Sequence, residues 1–165
     1  MKAKDGEKKK AGASCAHKAL KLSAKARYAL RALIDIASCD AGGSPRTGAA
    51  ISKTQQVSEK FLSRIVTELR DAGVFRSVRG NVGGFRLAKP PDDITLLEVV
   101  EAVQGPVMIL DCLSAGGRCS RQASCLARCV WEDVNATLRT TLKKMTLASI
   151  LRRDAKTAQI VDFCI

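Results

Sequence analysis

ISKTQQVSEKFLSRIVTELRDAGVFRSVRGNVGGFRLAKP, residues 51–90, holds two helix signals and a hairpin signal in succession. A short helix is predicted from about Thr47 to Thr54, followed by a turn at Gln55-Gln56-Val57. Ser58 can then cap a longer helix that runs to Ala72 and is stopped by Gly73. In that helix Phe61, Leu62, Ile65, Val66 and Leu69 recur at helical spacing and should face the core, leaving Lys60, Ser63, Arg64 and Thr67 outward. A short helix, a tight turn and a longer helix with a basic polar face form a helix-turn-helix pattern, whose second helix can enter the major groove of DNA. An ordinary solvated surface helix would look the same by itself, so the sequence that follows discriminates. Residues 74–79 and 85–88 alternate like two strands, and Gly80-Asn81-Val82-Gly83-Gly84 supplies a turn that can approach a phosphate closely. A basic hairpin directly after a helix-turn-helix is a wing. Arg76, Arg79 and Arg86 lie on or beside it, and Arg79, near the tip, is placed to reach a narrow minor groove. A sheet edge blunted by charge explains the arginines but not the glycines.

Working toward the N-terminus, Ser23 can cap a first helix with Leu30, Leu33, Ile34 and Ala37 on one face, ending at the Asp40–Gly43 breaker. Residues 1–20 are rich in Lys, Ala and Gly without apolar periodicity and are expected to be a disordered basic extension, in which Cys15 and His17 are incidental. Toward the C-terminus, Pro90-Pro91 ends the wing, and Thr95-Leu96-Leu97-Glu98 is a capping box opening a short helix through Val99, Val100 and Val103 to Gly105-Pro106. After a cysteine-bearing loop, Val130, Val134, Leu138, Leu142 and Met145 form a stripe along a helix expected from about Ser124 to Ser149. No facing helix for this stripe is evident within the chain, so it is expected to pair with a second copy as a homodimer. The predicted fold is therefore mainly α with a small β-hairpin: a winged helix-turn-helix domain over 21–105, a cysteine loop over 106–125, a dimerisation helix over 126–151 and an unplaced tail over 152–165.

The totals agree with that division. The chain has 165 residues, 46% hydrophobic but only 4% aromatic, enough for one aliphatic core. No apolar run is long enough to span a membrane and the charged N-terminus lacks a signal-peptide core, so a cytoplasmic protein is expected. The net charge of +12 lies wholly in the first ninety residues: residues 91–165 hold nine cations and nine acids. A basic half joined to a neutral one suggests that the first meets a polyanion.

The neutral half holds CLSAGGRCSRQASCLARC, residues 112–129, with four of the seven cysteines in a C-x6-C-x5-C-x3-C spacing. Its first three cysteines sit among Gly, Ser, Arg and Gln, the composition of a solvated loop, where burial would not reward a thiol. In a reducing compartment such cysteines argue for metal or redox chemistry. Iron-sulfur clusters demand thiolates, and a flexible loop can converge them. Zinc usually shows tighter knuckles than Cys112 and Cys119 form. Direct oxidant sensing, with Arg118, Arg121 and Arg128 favouring thiolate, is a third reading that spacing leaves open. An enzyme is not expected: the lone His17 is in the tail, no carboxylate pair falls near the cysteines, no phosphate-binding glycine motif opens a helix, and no small-molecule substrate is implied.

Taken together, LSAKARYALRALIDIA at 22–37, the 51–90 segment, ITLLEVVEAVQGP at 94–106, the spaced cysteines and TLASIL at 146–151 resemble the Rrf2 family of bacterial transcription regulators, from about Leu22 to Leu151. The resemblance implies a dimeric winged helix-turn-helix regulator of double-stranded DNA. It also implies an iron-sulfur cluster, 2Fe-2S or 4Fe-4S, in the loop before the dimerisation helix, responding to iron-sulfur status, nitric oxide or redox state. Carried across by position, Ser58, Lys60, Phe61, Ser63 and Arg64 fall where the recognition helix meets DNA, and Arg79 falls on the minor-groove arginine of the wing. Some members have a Glu at the position of Ser63, so a different sequence preference is expected here. Lys53 and Arg86 are expected to position the duplex through phosphates. Cys112, Cys119 and Cys125 match the family's three cluster ligands. The fourth departs: where some members have a ligating His this chain has Arg128, and where others use a first-helix Asp it has Arg27. Cys129, one turn after Cys125, is the candidate fourth ligand, with burial against the dimerisation helix as the other explanation of it. The alternative function is a cluster-free winged-helix regulator using its cysteines as a thiol switch or zinc site.

Overall fold

The computed structural model describes residues 22–40, 42–80, 83–114 and 124–153. The basic extension, the turn residues Asn81 and Val82, the thiol of Cys119 with Arg118 and Arg121, and most of the tail lie outside them. Helix α1 spans Ala24–Asp40, α2 Gly48–Gln55, α3 Glu59–Asp71, α4 Leu96–Gln104 and α5 Leu126–Lys144. Strands β1 (Phe75–Val78) and β2 (Gly84–Leu87) form the antiparallel hairpin, in register from Phe75 opposite Leu87 to Val78 opposite Gly84. Single 3-10 turns at Pro91–Asp93 and Asp111–Leu113 complete the path. Among the described residues the chain is thus mostly helical with one small hairpin, as expected.

The caps predicted at Ser23, Ser58 and Thr95 form, and the structure adds one at Thr47. Ser23 Oγ accepts from the Ala26 amide at 3.1 Å, Thr47 Oγ1 from Ala50 at 3.2 Å, Ser58 Oγ from Phe61 at 3.3 Å and Thr95 Oγ1 from Glu98 at 3.2 Å. Each satisfies an amide that the first helical turn would otherwise leave open. Gln56 closes α2 in the left-handed conformation (φ 53°), returning its amide to Lys53 and Ser52. The core lies where α1, α3 and α4 meet beneath the hairpin, around Leu33, Ile36, Ile65, Leu69, Val74, Phe75, Val99 and Val100.

Two expectations need correction. The face of α1 that enters the core is Ala26, Ala29, Ala32, Leu33, Ile36 and Ala37, while Leu30 and Ile34 are half-buried at its margin. The alanines, which carry little bulk, let α4 and α3 approach the α1 backbone, a demand that a count of large apolar residues does not register. The C-terminal helix is also not one rod. It ends at Lys144, Met145 and Thr146 are extended, and a further helical segment covers 147–153. The reason is a strand-like clasp: Leu96 N donates to Met145 O and Leu147 N to Ile94 O, both at 2.8 Å, so the backbone there bonds to the start of α4 instead of to α5. Thr146 then caps the next segment, its Oγ1 accepting from Ser149 N at 3.2 Å.

The stripe on α5 divides accordingly. Leu142 is buried in, and Leu138 packs against, the chain's own core, so α4 supplies the facing helix that was not evident from sequence. Met145 lies outside the helix. Only the N-terminal part, with Leu126 87% and Val130 61% exposed beside Trp131 and Val134, faces outward.

Candidate nucleic-acid interface and cysteine loop

The buried face of α3 is Leu62, Ile65, Val66 and Leu69, which turns Lys60, Ser63, Arg64 and Thr67 to solvent. Ser58 is exposed at its N-cap. Phe61 is half-buried and packs edge-on against Tyr28 of α1, ring centroids 5.7 Å apart, so only part of it faces outward. The Ser63 and Thr67 hydroxyls donate to the carbonyls of Lys60 (3.1 Å) and Ser63 (2.9 Å), leaving their oxygens open as acceptors.

The hairpin is seated on the helices by a third short pairing: Arg46 and Phe85 exchange backbone hydrogen bonds, Arg46 N to Phe85 O at 3.0 Å and Phe85 N to Arg46 O at 2.8 Å. Phe85 also meets Phe75 across the hairpin at 5.6 Å. Gly84 is required there, because a Cβ on it would lie 2.6 Å from Arg46 O. At the tip Gly80 has φ +130°, a conformation other residues rarely adopt, and Arg79 beside it is exposed.

Ion pairing sorts the cations into two sets. Lys25 pairs with Glu68 (2.6 Å), Arg46 with Asp35 (3.1 Å), Lys89 with Glu98 (2.7 Å) and Arg139 with Glu101. Arg86, expected at a phosphate, belongs to this structural set: it bonds Asp40 at 2.9 Å and the Gly43 carbonyl, while Leu87 N donates to the same carboxylate at 3.3 Å. It fastens the hairpin to the end of α1. Among the described residues, Arg27 and Arg31 on α1, Lys143 and Lys144 at the end of α5, and Lys53, Lys60, Arg64, Arg76 and Arg79 make no ion pair and are all exposed. The last five come from the end of α2, the outward face of α3 and the hairpin.

Across the molecule, Cys112 lies half-buried in the 3-10 turn, Cys125 half-buried at the N-cap of α5 and Cys129 exposed one turn on; none is in a disulfide. Among the described residues no three His, Cys, Asp or Glu side chains gather into a group that could hold a metal ion, and Cys119 falls outside them. What does join the two ends of the loop is Arg128: Nη1 donates to the Cys112 carbonyl at 3.0 Å and Nε to Glu132 at 2.7 Å. A guanidinium has no lone pair to offer iron. Sequence reasoning missed this bond, and also the network behind it, in which Arg139 bonds Glu101 and the Val107 carbonyl (3.4 Å), Val107 N donates to Glu101 (3.0 Å) and Ile109 N to Asn135 (3.1 Å). No described helix is long and apolar enough to cross a membrane.

Comparison with known proteins adds the following. The family model described as an iron-dependent transcriptional regulator, Rrf2, matches residues 22–153. A putative HTH-type transcriptional regulator of Haemophilus influenzae is 34% identical over 145 residues, covering 87% of this chain and 95% of that one. The HTH-type transcriptional regulator IscR of Cereibacter sphaeroides is 34% identical over 140 residues, covering 83% and 90%. Among solved structures, IscR of T. potens superposes with a TM-score of 0.65 at 31% identity, covering 84% of this chain and 90% of that one. CymR, the global cysteine regulator of B. subtilis, gives 0.64 at 27%, covering 81% and 97%. These relatives are named as regulators and not as enzymes, and the matched region runs from the first helix through the hairpin and cysteine loop to the segment after α5. The chain belongs to the Rrf2 family of winged helix-turn-helix transcriptional regulators.

Proposed function

We propose that the protein binds duplex DNA as a homodimer and that an iron-sulfur cluster in its cysteine loop tunes that binding. The observation that carries the first half is the segregation of cations: Lys25, Arg46 and Arg86, which tie elements together, are paired, while Lys60 and Arg64 on α3 and Arg79 on the hairpin are unpaired and exposed. Like charges left unneutralised on adjoining elements repel and are rewarded by a polyanion. In this reading α3 lies in the major groove, with Ser58, Lys60, Ser63 and Arg64 toward base edges and phosphates and Phe61 at its margin, while Arg79 enters the minor groove. The second copy docks through the outward Leu126, Val130, Trp131 and Val134 of α5, an apolar patch that water would otherwise cover.

The donor chemistry of the loop fits an iron-sulfur cluster: Cys112, Cys125 and Cys129 are free thiols at its two ends, with Cys119 between them in sequence. Arg128 stands at the fourth-ligand position and cannot ligate, so Cys129 takes that place. A bound cluster would supply a centre whose charge and integrity change with iron, nitric oxide or redox state. The chain's own part is to transmit that change: Asn135 and Arg139 on α5 hold the 107–109 backbone, and Arg139 grips Glu101 of α4, which packs on α1 and α3. Differential DNA affinity of the two loop states is then the regulation.

Anaerobic purification with iron and sulfide determination, followed by fluorescence anisotropy on duplexes selected from genomic fragments, tests both halves. A coloured protein whose affinity changes when the centre is removed is expected. A colourless protein containing zinc, or one whose affinity responds only to thiol oxidation, favours the cluster-free alternative. A protein that selects no duplex better than an unrelated basic protein sinks the DNA assignment.

A further inference from the structure

Gln56, in the turn between α2 and α3, has φ 53° and ψ 46°, and among the described residues it is the one non-glycine with a positive φ. The other four described residues with positive φ are all glycine. A left-handed backbone crowds Cβ against the following carbonyl oxygen, a cost that glycine avoids. The surroundings impose the conformation. The Gln56 amide donates to the Lys53 carbonyl at 3.3 Å and to that of Ser52, Val57 N donates to Ser52 O at 3.1 Å, and the Ser52 hydroxyl donates to the Val57 carbonyl. Val57 in turn packs against the core. Within the fold the Gln56 side chain gains nothing for its strain: it is exposed, and its carboxamide has no hydrogen-bond partner among the described residues. The adjacent Gln55, by contrast, accepts from Arg31 Nε at 2.7 Å. Residues held in such conformations cluster where the strain serves function, and here the use lies outside the monomer. Lys53, whose carbonyl takes the Gln56 amide, is exposed and unpaired among the described residues. Ser58, the N-cap of α3, follows two residues on, no more than about 7 Å away along the chain. Gln56 therefore lies at the margin of the end of α3 that a recognition helix puts into the groove, where phosphates line both sides.

We propose that Gln56 is retained at this strained position because its Nε2–H donates to a backbone phosphate of the duplex that α3 reads, beside the charge of Lys53. This rests on the DNA-binding reading above and adds to it a neutral contact made by the turn. A carboxamide donor suits a phosphate oxygen, and because it brings no charge it displaces no counterion. The fastened turn fixes the root of the side chain before DNA arrives, which reduces the ordering cost of the contact. A phosphate contact sets the position of α3 on the duplex and carries no base information. Glycine at this position would give a more stable protein that binds DNA less well, a trade that a residue serving the fold alone does not make.

The test uses the full chain and a duplex it selects itself from random sequence. Thermal melts, sedimentation and anisotropy across a range of NaCl concentrations are measured for wild type, Q56G, Q56A and K53Q. Q56G relieves the strain and should melt higher by roughly 1–4 °C, whereas Q56A keeps a Cβ at positive φ and should melt as wild type does. Both lose the carboxamide and should lose affinity equally, by about fivefold for each half-site. Their slopes of log affinity against log salt should match wild type, while K53Q lowers the slope by about one. The selected base sequence should be the same for all four proteins. Q56G melting no higher than wild type removes the strain and overturns the proposal. So does wild-type affinity in Q56A, since a loss confined to Q56G would belong to the backbone. A changed base preference, or a Q56A protein that assembles more weakly in sedimentation, assigns the side chain to a base or to another copy and also overturns it. Wild type selecting no duplex overturns the underlying DNA reading instead, so the two failures are distinct.

Discussion

Single residues differ in whether their work is local or reaches across the fold. The Ser58 cap is local: its hydroxyl satisfies one amide of α3. Ser58→Ala should cost about 1 kcal/mol, read as a lowered melting temperature, and should weaken DNA binding beyond that loss if the hydroxyl also meets the duplex. Gly84 works at a distance, because its missing Cβ makes room for the Arg46 carbonyl at 2.6 Å. Gly84→Ala should destabilise the protein by roughly 1–3 kcal/mol through displacement of the hairpin, visible in chemical denaturation. Arg79 and Arg86 show why residue type does not settle a role. Both are hairpin arginines, yet Arg86 is spent on Asp40 and Gly43 while Arg79 is exposed and unpaired among the described residues. Arg79→Ala is expected to lower DNA affinity without changing the melting temperature. Arg86→Ala should do the reverse first, losing stability as Asp40 is left without its partner; equal melts for the two would contradict this division.

At the level of elements, α5 is two surfaces in series. Its C-terminal half is part of the monomer's core, and its N-terminal half presents an apolar patch to solvent. Leu142→Ala should therefore destabilise the chain by about 2–4 kcal/mol, the cost of a buried leucine and its cavity. Val134→Asp should leave the monomer's unfolding nearly unchanged and convert a dimer to a monomer in sedimentation equilibrium. DNA affinity should fall with it, since two half-sites can no longer be held together. If Val134→Asp sediments as wild type does, the assembly uses another face. The clasp at Met145–Thr146 explains why the helix cannot simply continue: the Met145 carbonyl already accepts from Leu96 N, and the Leu147 amide already donates to the Ile94 carbonyl.

Across the whole molecule the question is how a cysteine loop could speak to α3. The connected groups are Asn135 and Arg139 on α5, the 107–109 backbone, Glu101 on α4, and the packing of α4 against α1 and α3. Spatial connection alone is not coupling, and a double-mutant cycle measures it. Cys119→Ala is expected to abolish the chromophore without unfolding the protein. Arg139→Met should keep both chromophore and DNA binding while shrinking the affinity difference between loaded and unloaded forms. Equal differences in Arg139→Met and wild type would place the transmission elsewhere.

What the sequence by itself determined is what nearby residues decide among themselves. The caps at Ser23, Ser58 and Thr95, the apolar period of α3 and the glycine-rich turn of the hairpin each involve partners within a few positions, so α2, α3, the hairpin and α4 were legible, and so was the set of outward residues on α3. The break at Met145 had a local trace in the Thr146 cap that a stripe of apolar residues concealed. The α1 core face, the division of α5, the attachment of Arg86 to Asp40 forty-six residues away and the Arg128 bond to Cys112 were decided only in the tertiary structure. The physical reason is that a charge or an apolar side chain has many possible partners along a chain. Which one it meets depends on packing that brings distant segments together, and that packing determines which arginines remain unpaired for DNA.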